Sequence, residues 1–169
     1  MKTNTEISPN IISALKTIAQ KLASENIKWI ISTSCALALQ GIKIEPKNID
    51  IITDNKELLK INELLKCYKI ESFIHNPSER FDSIMNKFLI NDCDVDIMNN
   101  FKIKSKTDNI WHNMSYLLKN PTIIQIEQIK MPVISLSQAL EMYELMGREK
   151  DLIKIEMIKE HLNERKFFK

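Results

Sequence analysis

Hydrophobic positions along the chain recur at two periods, and the switches between them lay out its elements. Ile12, Leu15, Ile18, Ala19 and Leu22 repeat at helical spacing behind Ser8 and Pro9, a cap followed by a first-turn proline. Residues 9–25 therefore read as an amphipathic helix. The run 28–33 (KWIIST) is short and apolar, as a buried strand is. Ser34 is positioned to cap a short apolar helix over 35–40, which Gly41 ends. Residues 48–53 open with a polar–apolar alternation and read as a strand. Residues 55–68 return to helical spacing, with Leu58, Leu59, Ile61, Leu64 and Leu65 as the expected buried stripe.

Further along, 69–75 and 83–90 read as strands, and Asn91-Asp92 is a turn signal before another strand at 93–98. The stretch 99–120 is polar and carries no clear period, Trp111 being its one strong anchor. Residues 123–128 and 133–134 are expected to form an edge pair. Ser135 and Gln138 make a capping-box pattern that opens a helix to Met146. Gly147 breaks it, and a last helix is expected from about 148 to 164. Strands interleaved with helices predict an α/β (α+β) chain, a mixed sheet flanked by helices, in one domain. Its core spans about 27–135 and its C-terminal helical part about 136–166. No internal repeat or low-complexity linker interrupts it.

Alternation also sorts the polar side chains. In a strand, every second side chain shares a face, so Asn48 and Asp50 point one way while Ile49 and Ile51 point into a core. Asp94 and Asp96 likewise oppose Val95 and Ile97, and a hairpin at 91–92 would bring Asp96 back toward Asp50. Acids on the wet face of an amphipathic strand are ordinary. Gathered on adjacent strands, however, carboxylates repel unless a cation sits among them. Hard oxygen donors suit Mg²⁺ holding a substrate phosphate.

Composition narrows the classes without choosing among them. The chain has 169 residues, 44% hydrophobic and 27% charged, the make-up of an ordinary globular protein. A net charge of +2 makes no strong case for a nucleic-acid partner. The basic tail around Phe167-Phe168 (Arg165, Lys166, Lys169) reads as a frayed helix end rather than a binding patch. Cys35, Cys67 and Cys93 are odd in number and widely spaced, which fits reduced thiols and a cytoplasmic location better than disulfides or zinc. No apolar run approaches the ~20 residues of a membrane span. His75, His112 and His161 share no metal-ligand spacing. Met142, Met146 and Met157 read as core or interface filling.

The run ISTSCALALQGIKIEPKNIDIITD resembles the opening of the nucleotidyltransferase superfamily with the polymerase-beta-like fold. It is most similar to small prokaryotic nucleotidyltransferase-like proteins, through Ser32-Thr33-Ser34, Leu39-Gln40-Gly41, Glu45-Pro46, Asn48-Ile49-Asp50 and Thr53-Asp54. Val95-Asp96-Ile97-Met98 matches the segment that carries the family's third acid. PVISLSQALEMYELMGREKDLIKI resembles its C-terminal pattern, and the whole match runs over about residues 27–158. The resemblance implies transfer of a nucleoside monophosphate from a nucleoside triphosphate to a hydroxyl acceptor, with two Mg²⁺ ions. Asn48, Asp50 and Asp96 would be the metal ligands, and Asp50 and Asp96 the catalytic acids. Thr33, Ser34, Arg80, Arg148 and Lys150 would bind the nucleotide phosphates, while Asp94 reads as a plain solvent-facing neighbour.

Two departures fall on this chemistry. Thr33 stands where the family has a turn glycine, and Asn48 where it has the first acid. An amide offers one neutral acceptor oxygen in place of two charged ones. At an effective dielectric near 20, a unit charge beside another at about 4 Å is worth about 4 kcal/mol. Metal binding should therefore weaken by orders of magnitude. Three readings stay open at this level: an enzyme, a non-catalytic binder of nucleotide or partner, and one half of a toxin–antitoxin pair. The acceptor is a small molecule or a protein, and a homodimer is left open.

Overall fold

The structure, a computed structural model, describes residues 7–75 and 77–167, with side chains described through residue 164. The basic tail singled out above thus lies outside the described side chains.

Helix α1 (Pro9–Ala23) begins as its sequence dictates, the Ser8 hydroxyl accepting the Ile11 N–H at 3.4 Å with Pro9 in the first turn. Its stripe of Ile11, Ala14, Leu15, Ile18, Ala19 and Leu22 is buried. The chain continues through β1 (Trp29–Ser32), α2 (Thr33–Leu39), β2 (Ile49–Thr53) and α3 (Leu58–Leu64). It then runs through β3 (Lys69–His75), β4 (Phe81–Ile90), β5 (Cys93–Lys104) and β6 (Trp111–Asn113). A hairpin of β7 (Thr122–Ile126) and β8 (Ile129–Val133) leads to α4 (Leu136–Met146) and α5 (Leu152–Phe167).

The eight strands form one mixed sheet, ordered β3-β4-β5-β2-β1-β8-β7, with β6 on the far end of β5. Strand β2 lies antiparallel to β1 and parallel to β5, and β8 runs parallel to β1. Ile30, Ile31, Ile49, Ile51, Val95 and Ile97 are fully buried at its centre. Each such side chain contributes about 1.5–3 kcal/mol on leaving water. Helix α1 packs on β8, β5 and α3, while α2 packs on β1, β2 and α4.

Several expectations are corrected by packing. Helix α2 starts at Thr33 with Ser32 as its N-cap, so Ser34 sits inside the first turn rather than capping it. Helix α3 starts three residues later than its periodicity implies, and Leu59 is 68% exposed. Strand β5 runs on to Lys104 through the stretch that lacked a period, because Asn99, Phe101, Ile103 and Ser105 alternate inward there. Trp111 is 43% exposed and no anchor; Met114 and Leu117, in the 3-10 turn that follows β6, fill the core instead. Strand β8 is interior, joining the β7 edge to β1. The last helix is preceded by a separate 3-10 turn, Glu149–Asp151.

The capping box at α4 forms as its sequence spells it, with Ser135 and Gln138 exchanging side-chain and backbone bonds. Gly147 ends the helix with φ +56°. A Cβ there would lie 3.0 Å from Lys106 Cβ and 2.9 Å from its Cδ. This turn decides where Arg148 and α5 go. Among the described residues, no helix is long and apolar enough to cross a membrane.

Gly147→Ala combines a left-handed backbone with a steric conflict. It should cost about 1–3 kcal/mol in urea unfolding, whereas Ser137→Ala, on the exposed side of α4, should stay within about 0.5 kcal/mol. Equal stabilities for the two variants would contradict the account of the turn.

Candidate functional site

Parallel pairing of β2 with β5 sets Asp50 directly opposite Asp96, with Ile49 opposite Val95 and Ile51 opposite Ile97. Two carboxylates from distant parts of the chain thus stand side by side on one face of the sheet. Asp50 is gripped locally. The Thr33 hydroxyl donates to its Oδ2 at 2.5 Å, and the Asn48 amide donates to its Oδ1 at 3.0 Å. From β1, the Ser32 hydroxyl donates to the Asp50 carbonyl at 3.1 Å.

Thr33 adopts φ +54°, a left-handed conformation that a β-branched residue rarely takes. Such a backbone costs on the order of 1–3 kcal/mol and persists where its surroundings fix it. The bond to Asp50 is one such fixture. It also explains the glycine that the family resemblance expects at this position: the turn demands that conformation whichever residue occupies it.

Burial, the largest influence, raises the Asp50 carboxyl above its ordinary range, opposed by the bonds from Thr33 and Asn48 and by the Lys154 and Arg148 charges. Asp96 is raised as well, by burial first and then by Asp50, with Lys87 opposing. Lys87 is the cross-strand partner of Asp96 on β4. Cys35, behind Asp50 in α2, has its thiol pushed up to about 12, chiefly by burial, and is a neutral packing group. All three cysteines carry free thiols.

The remaining residues singled out by sequence divide. Ser34 lies in the first turn of α2, with the phenol of Tyr143 facing it from α4. Arg148 reaches the site through its charge. Arg80 does not: its guanidinium donates to the carbonyls of Lys104 at 3.1 Å and Leu145 at 3.5 Å, holding the end of α4 against β5. Lys150 is exposed on the 3-10 turn. Asp94 is exposed, as expected. Sequence reasoning missed Lys87, Tyr143, Asp151 and Lys154. For the last two a signal existed, since Arg148, Asp151 and Lys154 repeat at a helical interval of three.

As for a cation, Asp50 and Asp96 supply hard anionic oxygens held half out of water, and the Asn48 side chain adds a neutral one. That donor set fits a divalent ion carrying a phosphate. It is poorer than three acids: among the described residues no group of three or more His, Cys, Asp or Glu is arranged to hold a metal.

A sheet that presents paired acids beside a turn into a short helix defines a nucleotidyltransferase fold, and solved structures agree. A Thermotoga maritima protein described as a nucleotidyltransferase shares 26% identity, with 97% of this chain and 99% of that chain covered at a TM-score of 0.78. The enzyme ANT(2'')-Ia, solved in complex with adenylyl-2''-tobramycin, shares the fold at 10% identity and a TM-score of 0.59, with 92% and 91% of the two chains covered. No curated protein sequence matches the chain. Residues 14–158 match the sequence profile of the aminoglycoside-2''-adenylyltransferase family, and the chain belongs to that family.

Raised carboxyls at the site have a stability consequence whose sign is fixed. Above the unfolded carboxylate value, near about 4, the folded chain retains protons that the unfolded chain has lost. Stability contributed by Asp50 and Asp96 is therefore fully present below that value and is lost as pH rises through their folded values. In metal-free buffer at neutral pH, Asp50→Asn should raise Tm and flatten its decline with pH in calorimetry. Millimolar Mg²⁺ should raise the Tm of the wild type and leave the variant unmoved. A lower Tm for Asp50→Asn without metal would count against a strained acid pair.

Proposed function

We propose that this chain binds a nucleoside triphosphate with a divalent cation and transfers the nucleoside monophosphate to a hydroxyl acceptor. The observation that carries the reading is the in-register pair Asp50 and Asp96, with Thr33 and Asn48 bonded to the first. Asp50 and Asp96 would hold the ion, with the Asn48 side chain as a weak third donor. When bound, the ion supplies electrostatic stabilisation of charge on the phosphate oxygens.

Everything else falls to the chain. Ser34 and the backbone of the turn at Thr33 orient the phosphates against the carboxylates. Asp96, whose proton affinity is raised, accepts the proton of the acceptor hydroxyl. The acceptor oxygen forms a bond to the alpha-phosphorus as the bond to the bridging oxygen breaks, and pyrophosphate leaves in line. The family's name makes an aminoglycoside hydroxyl the acceptor class to try first.

A second reading, binding of nucleotide or of a protein partner without turnover, as in one half of a toxin–antitoxin pair, is favoured by Asn48 itself. A neutral amide stands where a charged ligand belongs, and it spends its N–H on Asp50.

Isothermal titration with Mg²⁺ and a panel of nucleoside triphosphates separates these. Metal-dependent binding is expected, lost in Asp50→Ala and Asp96→Ala; no binding at millimolar nucleotide would leave only a partner-binding role. Radiolabelled transfer to tobramycin and related aminoglycosides reads turnover. Asn48→Asp should raise transfer tenfold or more, since a restored ligand charge is worth about 4 kcal/mol near the surface. If neither Asn48→Asp nor Thr33→Gly with Asn48→Asp transfers, the catalytic reading fails.

A further inference from the structure

The acid pair belongs to a longer row of charged side chains that crosses the sheet in register. Asp50 on β2 stands opposite Asp96 on β5, Asp96 opposite Lys87 on β4, and Lys87 opposite Glu71 on β3. Cross-strand partners share a face, so the row runs from the site outward to the edge of the sheet. Beside it lies a second row, Ile52, Met98, Met85 and Ile74, apolar throughout. On the other flank Asp94 pairs with Leu89. Lys87, Glu71 and Asp94 are exposed, and Leu89 is 43% exposed, so this face is open over β4. Phe88, Ile90, Val95 and Ile97 close its back.

In-line transfer gives this open strip a use. The attacking and leaving oxygens lie roughly in line through phosphorus. The turn at Thr33 joins β1 to α2 and so lies on the β1 side of Asp50. Pyrophosphate leaving toward that turn puts the incoming hydroxyl on the opposite side, over β5 and β4. The first side chain it meets beyond Asp96 is Lys87. Neighbouring strands lie about 4.8 Å apart, so whatever the acceptor carries one such spacing from its hydroxyl falls against the Lys87 ammonium. That group donates hydrogen bonds and accepts none, and it closes no ion pair among the described residues. An anionic group is held there and an ammonium is repelled. Glu71, one strand further out, and Asp94, one pair along β5, are the opposing charges on this face. A positive group on the acceptor therefore belongs at the sheet edge, away from the hydroxyl.

We infer that Lys87 selects the acceptor, a small molecule that carries a carboxylate or phosphate about one strand spacing from the hydroxyl that is attacked. Such an acceptor differs in charge from the polyamine that the family's name suggests. The inference deepens the transferase reading and rests on it for the direction of attack. Lys87 binds the acceptor and takes no part in the proton transfer, while the Met98 and Met85 row forms an apolar wall along one side.

Amide-shift titrations by NMR, at fixed Mg²⁺ and without nucleotide, compare glycerol, glycerate, glycerol 3-phosphate and tobramycin. Both anionic probes should bind the wild type more tightly than glycerol, with shifts centred on β4 and β5. The tighter of the two identifies the anion as carboxylate or phosphate. Lys87→Met should cut the preference for anions by about three- to tenfold, and Lys87→Arg should keep it. Lys87→Glu should turn it toward tobramycin. Lys130→Met, an equal loss of charge at an exposed position of β8, should leave it unchanged. With ATP and Mg²⁺ the same order should appear in kcat/KM. A preference that depends on Lys87, with no nucleotide transfer to any acceptor, would sink the transferase reading and leave Lys87 as an anion site. Transfer that favours tobramycin over both anions would overturn the inference and leave the transferase reading intact. A preference unmoved by Lys87→Met, or no shift on β4 and β5 with either anion, would overturn it as well.

Discussion

The pairing of β2 with β5 is the constraint on which the rest of the site depends. The two strands are separated by a helix and a hairpin in sequence, yet their parallel register places Asp50 against Asp96 and seals Ile49, Ile51, Val95 and Ile97 on the opposite face. A slip of one residue would turn all of these inside out, exchanging buried isoleucines for buried aspartates. The hydrophobic core therefore fixes the site. The free energy that holds two like charges together comes from the apolar half of the same strands.

Such an arrangement is costly unless hydrogen-bond donors and opposite charge are at hand, and the molecule supplies the donors from one direction and the charge from another. Thr33 and Asn48 donate to Asp50 from the same layer, one from a strained backbone and the other as a neutral side chain where an acid is expected. Arg148, between α4 and α5, and Lys154, in the first turn of α5, bring positive charge toward Asp50, and both pair with the buried Asp151. Removing one member of so buried an ionic cluster typically costs about 3–5 kcal/mol, which is why the bend at Gly147 matters to the site as much as to the fold.

Much of this was legible in the chain, and for identifiable reasons. Alternation over 48–51 and 94–97 separates acids from isoleucines with no help from tertiary structure, and cap chemistry at Ser8 and Ser135 reads directly from residue type. What stayed hidden depends on packing between distant elements. The inward alternation of β5 beyond Met98 is masked by asparagines and lysines, and Leu59 has the right spacing but no partner. Arg80 looks like a phosphate ligand until the end of α4 is placed against it. The left-handed backbone of Thr33 shows in the chain only through the glycine that the family resemblance expects there, and the spacing of α4 does not single out Tyr143. The asparagine at 48 was visible at once; its bond to Asp50 was not.

The central claim, that Asp50 and Asp96 together form a cation site beside bound nucleotide, is tested most directly by electron paramagnetic resonance of Mn²⁺ added to the protein with ATP. The account requires a protein-dependent bound signal, beyond that of the Mn²⁺–ATP complex alone, that is lost in both Asp50→Asn and Asp96→Asn. A bound signal that survives either substitution would place the ion elsewhere and contradict the account.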